Sequence, residues 1–86
     1  MIMSYEKVKQ ASNTIIGTKQ TLKAIESDSV AEVIIARDAD KRVVSGAIKL
    51  CQEKGVPLSY VDSMKKLGRA CGIDVGAAMV AIRKER

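Results

Sequence analysis

Two spacings alternate along the chain. Thr14-Ile15-Ile16, Val33-Ile34-Ile35-Ala36 and Val56 to Val61 are short, largely apolar segments of strand length. Between them, apolar residues recur every three or four positions, the period of a helix with one buried stripe. Ser4 to Ala11 predicts a short first helix with Ser4 as its cap and Lys7 and Lys9 exposed. Thr14 to Ile16 predicts a brief strand that ends at Gly17. Thr18 then caps a helix to about Glu26, which buries Leu22 and Ile25.

The Val33 to Ala36 run does not alternate, and such runs suit a strand covered on both faces. Asp38 or Asp40 caps a helix to Lys54, with Val43, Val44, Ala47, Ile48 and Cys51 on its stripe and Gly55 as its stop. Pro57 belongs at the start of the next strand, where no ladder donor is needed. Ser63 caps a further helix, apolar at Met64, Leu67, Ala70 and Cys71 and ended by Gly72. Ala78 to Ile82 predicts the last strand, and residues 83–86 a solvated tail. Strands alternating with helices imply an α/β fold: a single-domain three-layer α/β/α sandwich over residues 1–86, with a mixed four-stranded sheet.

With 86 residues there is room for one domain, and 47% apolar content lets it fold without staples. The only aromatics are Tyr5 and Tyr60. Readers of splayed single strands stack bases on several rings, so a nucleic-acid role for this chain means reading shape. Fifteen Lys and Arg against ten Asp and Glu leave a net charge of +5, which suits nucleic acid, an anionic membrane or plain solubility. No histidine is present, which excludes Cys/His zinc sets and His-based nucleophilic catalysis. Cys51 and Cys71 form no CxxC pair, and both sit at apolar helix positions as buried, reduced thiols. Met1-Ile2-Met3 is too short for a signal-peptide core; residues 1–3 are a candidate flexible start, with Met3 a candidate native one. No uncharged run approaches membrane-spanning length, so the expectation is a cytoplasmic protein without cofactor or metal.

Three constellations stand out. In Gly17-Thr18-Lys19-Gln20-Thr21-Leu22-Lys23, the side chains of Lys19, Gln20 and Lys23 share one face of the first helical turns. Free backbone N–H groups and the positive end of the dipole point the same way. Cations there oppose the dipole, which is odd for an ordinary surface, yet a solvated face remains slightly favoured on spacing alone. Lys65, Lys66 and Arg69 form a second basic face, best read in isolation as the surface of an amphipathic helix. Gly72-Ile73-Asp74-Val75-Gly76 is a glycine-bounded loop whose two aliphatics are core plugs or an exposed apolar contact, the plugs being the safer reading. Gly68, Gly72 and Gly76 are spaced by four as in membrane helix packing, but Arg69 and Asp74 argue against that. Asp38, Asp40 and Asp62 lie where caps and turns want Asp, and no catalytic motif emerges.

In this order, these pieces resemble the family of ribosomal proteins L-seven-Ae and L-thirty-e, which bind kink-turn RNA, and most of all its compact bacterial members of the YbxF type. The similarity spans nearly the whole chain. It is sharpest in Ile16-Gly17-Thr18-Lys19-Gln20-Thr21, in Ala36-Arg37-Asp38-Ala39-Asp40, and from Lys65 through Gly68-Arg69-Ala70-Cys71-Gly72-Ile73-Asp74-Val75-Gly76 to Ala78. The resemblance implies that the helix opened by Gly17 and Thr18 enters an RNA major groove at tandem sheared G·A pairs. Lys19, Gln20 and Lys23 then make polar contacts, where archaeal and eukaryotic members carry Asn-Glu in place of Lys19-Gln20. It also implies that Ile73, Asp74 and Val75, bounded by Gly76, lie beside the groove and pack on an extruded nucleotide, and that Arg37 lies near the RNA. Lys65, Lys66 and Arg69 are expected to add to the same surface.

The expected partner is structured RNA containing a kink-turn, such as ribosomal RNA or a riboswitch, and the ribosome is a candidate assembly. A monomer with no membrane association and no catalysis is expected. The alternatives are a ribosomal-protein paralogue with weak affinity for isolated RNA, or a protein-interaction module on the same fold.

Overall fold

The computed structural model describes residue 8 and residues 13–84. Its elements are β1 (Thr14–Ile16), α1 (Thr18–Glu26), β2 (Val30–Ala36), α2 (Lys41–Lys54), β3 (Leu58–Val61), α3 (Met64–Ala70) and β4 (Met79–Arg83). The four strands form one mixed sheet in the order β1-β4-β2-β3, in which β2 and β3 are parallel and β4 runs antiparallel to both β1 and β2. The α/β architecture matches the expectation. The expected helix from Ser4 to Ala11 lies outside the described residues except at Val8, which is buried.

Where local chemistry suffices, the elements end as expected. Asp40 rather than Asp38 caps α2, its Oδ1 accepting the Arg42 N–H at 2.9 Å. Gly55 closes the same helix in the left-handed region, at φ 72°. Ser63 caps α3 and accepts the Lys66 N–H at 3.2 Å. β3 differs in starting at Leu58 rather than Val56, with Pro57 just before it accepting the Val33 N–H through its carbonyl at 3.0 Å.

Other expectations are corrected. Thr18 does not cap α1: Gly17 holds the cap position at φ 108° and ψ 150°, no side chain caps the helix, and Thr18 is its first residue. Turning directly from β1 into the helix needs a positive φ, which glycine adopts freely. The buried stripe of α1 is Thr21, Ala24 and Ile25, and Leu22 is only half-buried, because the helix meets the sheet one position round from the expected face. On α2 the stripe narrows to Val44, Ala47 and Cys51, while Val43 is 39% exposed and Ile48 half-buried.

The tail is also shorter than expected. Arg83 belongs to β4, pairs with Val30 and donates its N–H to the Asn13 carbonyl at 3.1 Å; the Lys84 N–H reaches the Ser29 carbonyl at 3.0 Å. Lying between β1 and β2, β4 finds ladder partners on both sides and is drawn out beyond its apolar run.

Val33, Ile34, Ile35 and Ala36 are each at most 1% exposed, and Met79, Val80 and Ala81 are fully buried. Side chains of successive strand residues point to opposite faces, so unbroken burial means the sheet is covered on both. Helices α1 and α2 pack against each other, and Lys54 of α2 donates to the Glu26 carbonyl at the end of α1, at 3.1 Å.

One core position breaks the pattern. Thr21 is fully buried, and its hydroxyl has no hydrogen-bond partner. A buried hydroxyl left without a partner costs about 1–3 kcal/mol, so Thr21→Val, which keeps the branched shape, is expected to stabilise the fold by about 1 kcal/mol. Thermal denaturation should show a raised midpoint; a lowered one would mean the hydroxyl finds a partner in solution.

Candidate nucleic-acid interface

Strand direction decides what can meet. Because β4 is antiparallel to both β1 and β2, and β2 is parallel to β3, strands β1, β2 and β3 all point the same way. Their carboxyl ends, Ile16, Ala36 and Val61, therefore share one edge with Met79, where β4 begins. Gly17 and the start of α1, the Arg37–Asp40 connection, the entry to α3 and the exit of the 72–78 loop all leave from that edge. Loops at the carboxyl ends of such strands are the usual place for a ligand site. With β1 next to β4, the start of α1 neighbours the end of the glycine-bounded loop.

At the start of α1 the first helical bond is Thr21 N–H to the Gly17 carbonyl, at 3.0 Å. The N–H groups of Thr18, Lys19 and Gln20 therefore have no partner within the helix. No acidic residue lies in the first turn to answer the dipole. Lys19, Gln20 and Lys23 are all exposed, and neither lysine has a carboxylate within ion-pair distance among the described residues. Helix dipole, free donors and side-chain cations make this helix start a candidate site for an anion.

The second part is held in place by α3. The Ile73 N–H donates to the Gly68 carbonyl at 3.0 Å, and the Ala77 N–H donates to the Met64 carbonyl at 3.0 Å, so the loop runs back along the helix towards the strand edge. At Gly68 the approach is close enough to need glycine, since a Cβ there would lie 1.9 Å from the Val75 carbonyl oxygen; at Gly76 it is merely tight, an added Cβ lying 3.2 Å from the Met64 Cβ. The glycine spacing noted in the sequence thus serves helix-to-loop packing. Gly72, at φ 84°, makes the turn that starts the loop. Val75 ends up 69% exposed, Asp74 exposed and Ile73 half-buried, so Val75 is not a core plug.

Asp38 ties the connection after β2 to the start of α3. Its position in sequence suits a cap or turn within its own segment, but its Oδ1 accepts the Met64 N–H at 2.8 Å, holding the first turn of α3 from 26 positions away. The available clue was that two aspartates, Asp38 and Asp40, competed for one cap. Gly68 had a clue too, since glycine inside an otherwise good helix is costly unless something must approach it.

The remaining candidates are more dispersed. Lys65 and Lys66 lie on the first turn of α3, exposed, and Lys66 pairs with Asp62 at 3.7 Å. Such an exposed pair is weak and leaves the ammonium available. Arg69 is exposed on the last turn of the same helix. Arg37 follows β2 at the shared edge, but its guanidinium lies over the Tyr60 ring, 5.6 Å from the centroid. That pair borders an apolar cavity of about 450 Å³ floored by Ile35, Val44 and Ile48. Cys51 is buried and Cys71 half-buried, both are free, and burial pushes both thiols up from their ordinary range, which makes them poor nucleophiles. Among the described residues no group of three or more His, Cys, Asp or Glu could hold a metal, and no helix is long and apolar enough to cross a membrane.

Several known proteins are similar to this chain over most of its length. An RNA-binding protein of Halalkalibacterium halodurans is 62% identical over 82 residues, covering 95% of this chain and all of the relative. RNA-binding protein YbxF of Geobacillus stearothermophilus is 54% identical over 80 residues, covering 93% of this chain and 98% of the relative. Among solved structures, the Giardia lamblia 15.5kD RNA binding protein superposes with a TM-score of 0.84 at 30% identity, over 99% of this chain and 78% of that one. The model of one family matches residues 3–86, essentially the whole chain, and the protein therefore belongs to the Ribosomal protein L7Ae/L30e/S12e/Gadd45 family.

Proposed function

We propose that this protein binds structured RNA and stabilises its kink-turns, the sharp bends built on tandem sheared G·A pairs. One observation carries the reading: an uncapped, acid-free helix start bearing exposed Lys19, Gln20 and Lys23 shares a sheet edge with a rigidly braced loop that exposes Val75. Lys19 and Gln20 can donate to purine edges in a major groove, since Lys suits guanine O6 and N7 and Gln an adenine edge. Val75 and Ile73 offer an apolar surface to an unstacked base. Gly17, Thr18 and Gly76 set the backbone that presents these groups, and Asp74 lies between the two aliphatics. Lys23, Arg37, Lys65, Lys66 and Arg69 supply positive charge around them.

The mechanism is a population shift. A kink draws two phosphate backbones together, so free RNA spreads between extended and bent forms. A protein that binds only the bent form draws the mixture towards it. Cationic side chains offset the repulsion, and release of condensed counterions adds affinity at low salt. The chain acts as one domain and one copy per kink, and the RNAs it suits are structured ones such as ribosomal RNA or riboswitches. The relatives named above as RNA-binding proteins support the same class of ligand.

The test is a titration of two RNAs of equal length and charge, one with a kink-turn and one with its tandem G·A pairs replaced by Watson–Crick pairs. A good base contact is worth about 1–3 kcal/mol, and loss of the bent shape costs more. Binding to the substituted RNA should be at least tenfold weaker at moderate salt. Equal affinity would mean that the basic face attracts any polyanion.

A further inference from the structure

A second basic feature lies beside α1 and extends past the contacts assigned so far. A cleft of about 350 Å³ opens between α1 and the far end of the sheet, lined by Gln20, Lys23, Ser27, Ser29, Ile15 and Arg83. Gln20, Lys23 and Ser27 are spaced three and four apart, so they form one stripe running from the start of α1 to its end. Arg83 meets that stripe from the last residue of β4, at the sheet end opposite Gly17.

The cleft wall is preorganised, and no described residue compensates its cations. The hydroxyls of Ser27 and Ser29 both reach the Ala24 carbonyl, at 3.0 and 3.1 Å, and bracket the turn after α1 without offering free protons. Arg83 is held by its backbone, paired with Val30 and bonded to Asn13. Asp28, an acid of the same turn, pairs instead with Lys54 at 3.7 Å. Among the described residues no carboxylate lies within ion-pair distance of Lys23 or Arg83. Two cations and an amide donor around a concavity, with no counter-charge among the described residues, fit an oxyanion with several acceptor atoms, and Arg matches a phosphate in bidentate fashion.

We propose that this cleft holds a backbone phosphate of the bound RNA beyond the kink, clamped between Lys23 and Arg83. The proposal rests on the kink-turn reading and extends it. Gln20 and Lys23 already belong to the groove contact, so the stripe carries that interface continuously back along α1. A sharp bend sends one stem back past the protein, and a basic cleft continuous with the groove contact is where its backbone can lie.

Two kink-turn RNAs separate the possibilities, one with stems trimmed close to the kink and one with both stems extended by a helical turn. Arg83→Gln should weaken binding of the extended RNA several-fold at low salt. It should also lower the slope of log K against log salt by about 1, the change expected for one lost phosphate contact. The trimmed RNA should bind the variant and the natural protein alike. Arg83→Lys, which keeps the charge, should retain most of the slope. Arg83 is exposed, so circular dichroism of both variants should match the natural protein. No change with either RNA, or an equal loss with both, would overturn the proposal. Failure of the kink-turn reading shows up separately, as equal binding of kinked and fully paired RNA by the unsubstituted protein.

Discussion

Alanine in place of Gly68 is expected to destabilise the fold by about 3 kcal/mol and to displace the loop at Val75, although helix propensity predicts the opposite sign. Gly68 lies inside α3, where exchanging glycine for alanine ordinarily stabilises by about 0.5–1 kcal/mol. Here the added Cβ would meet the Val75 carbonyl oxygen at 1.9 Å, the Val75 carbonyl carbon at 3.0 Å and the Gly76 Cα at 3.2 Å. All three are backbone atoms, so no side chain can turn aside. The loop must move, and the bonds from Ile73 to Gly68 and from Ala77 to Met64 move with it. Overpacking of this kind costs about 1–3 kcal/mol or more. Gly46 provides the control: it lies in α2 with nothing within 4 Å of its added Cβ, so Gly46→Ala should stabilise in the ordinary way. Urea denaturation of both variants reads the difference. A Gly68→Ala protein as stable as the Gly46→Ala protein would show that the loop does not pack on α3 as described. In RNA titrations Gly68→Ala should also lose affinity, because the loop no longer presents Val75 at the shared edge.

The second large effect separates binding from folding. Val75→Asp places a carboxylate where we propose that an unstacked base packs, and kink-turn affinity is expected to fall at least tenfold. Val75 is 69% exposed, so the fold should keep its stability to within about 0.5 kcal/mol, the usual range for surface substitutions. Some loss follows merely from adding negative charge to a basic protein, and Val43→Asp measures that part. Val43 is 39% exposed on α2, outside the glycine-bounded loop, and its substitution changes the net charge equally. Val75→Ala, which removes the apolar surface without adding charge, should fall between the two. Comparable losses for Val75→Asp and Val43→Asp would assign the whole effect to net charge and remove Val75 from the interface.

Both predictions depend on relations that differ in how far they can be read from sequence. The Asp40 cap, the Gly55 stop, the Ser63 cap and the strands at Thr14 to Ile16 and around Val33 to Ala36 are legible because their causes act within one turn or one pleat. A side-chain oxygen two or three residues before a free N–H, or a glycine after the last apolar turn, works much the same way in any fold. The identities of Lys19, Gln20, Lys23, Ile73 and Val75 as unusual positions were legible too, from charge placed against a helix dipole and aliphatics between glycines.

Their combination into one site was not legible, because it depends on strand order. The order β1-β4-β2-β3, with β4 reversed, brings the start of α1 to the same edge as the 72–78 loop. Nothing within either segment encodes that meeting. The same holds for Asp38, whose oxygen serves an N–H 26 residues away, and for Gly68, whose missing side chain matters only because Val75 returns to it. Arg83 looked like solvated tail until pairing on both sides drew it into β4 and set it across from Lys23. Gly17 took the cap position from Thr18 for a related reason, since the tight passage from β1 into α1 needed its positive φ. Local propensities act through backbone sterics and hydrogen bonds a few residues long. Which surfaces become neighbours is settled by burying the aliphatic strands on both faces, a global condition that only the complete packing satisfies.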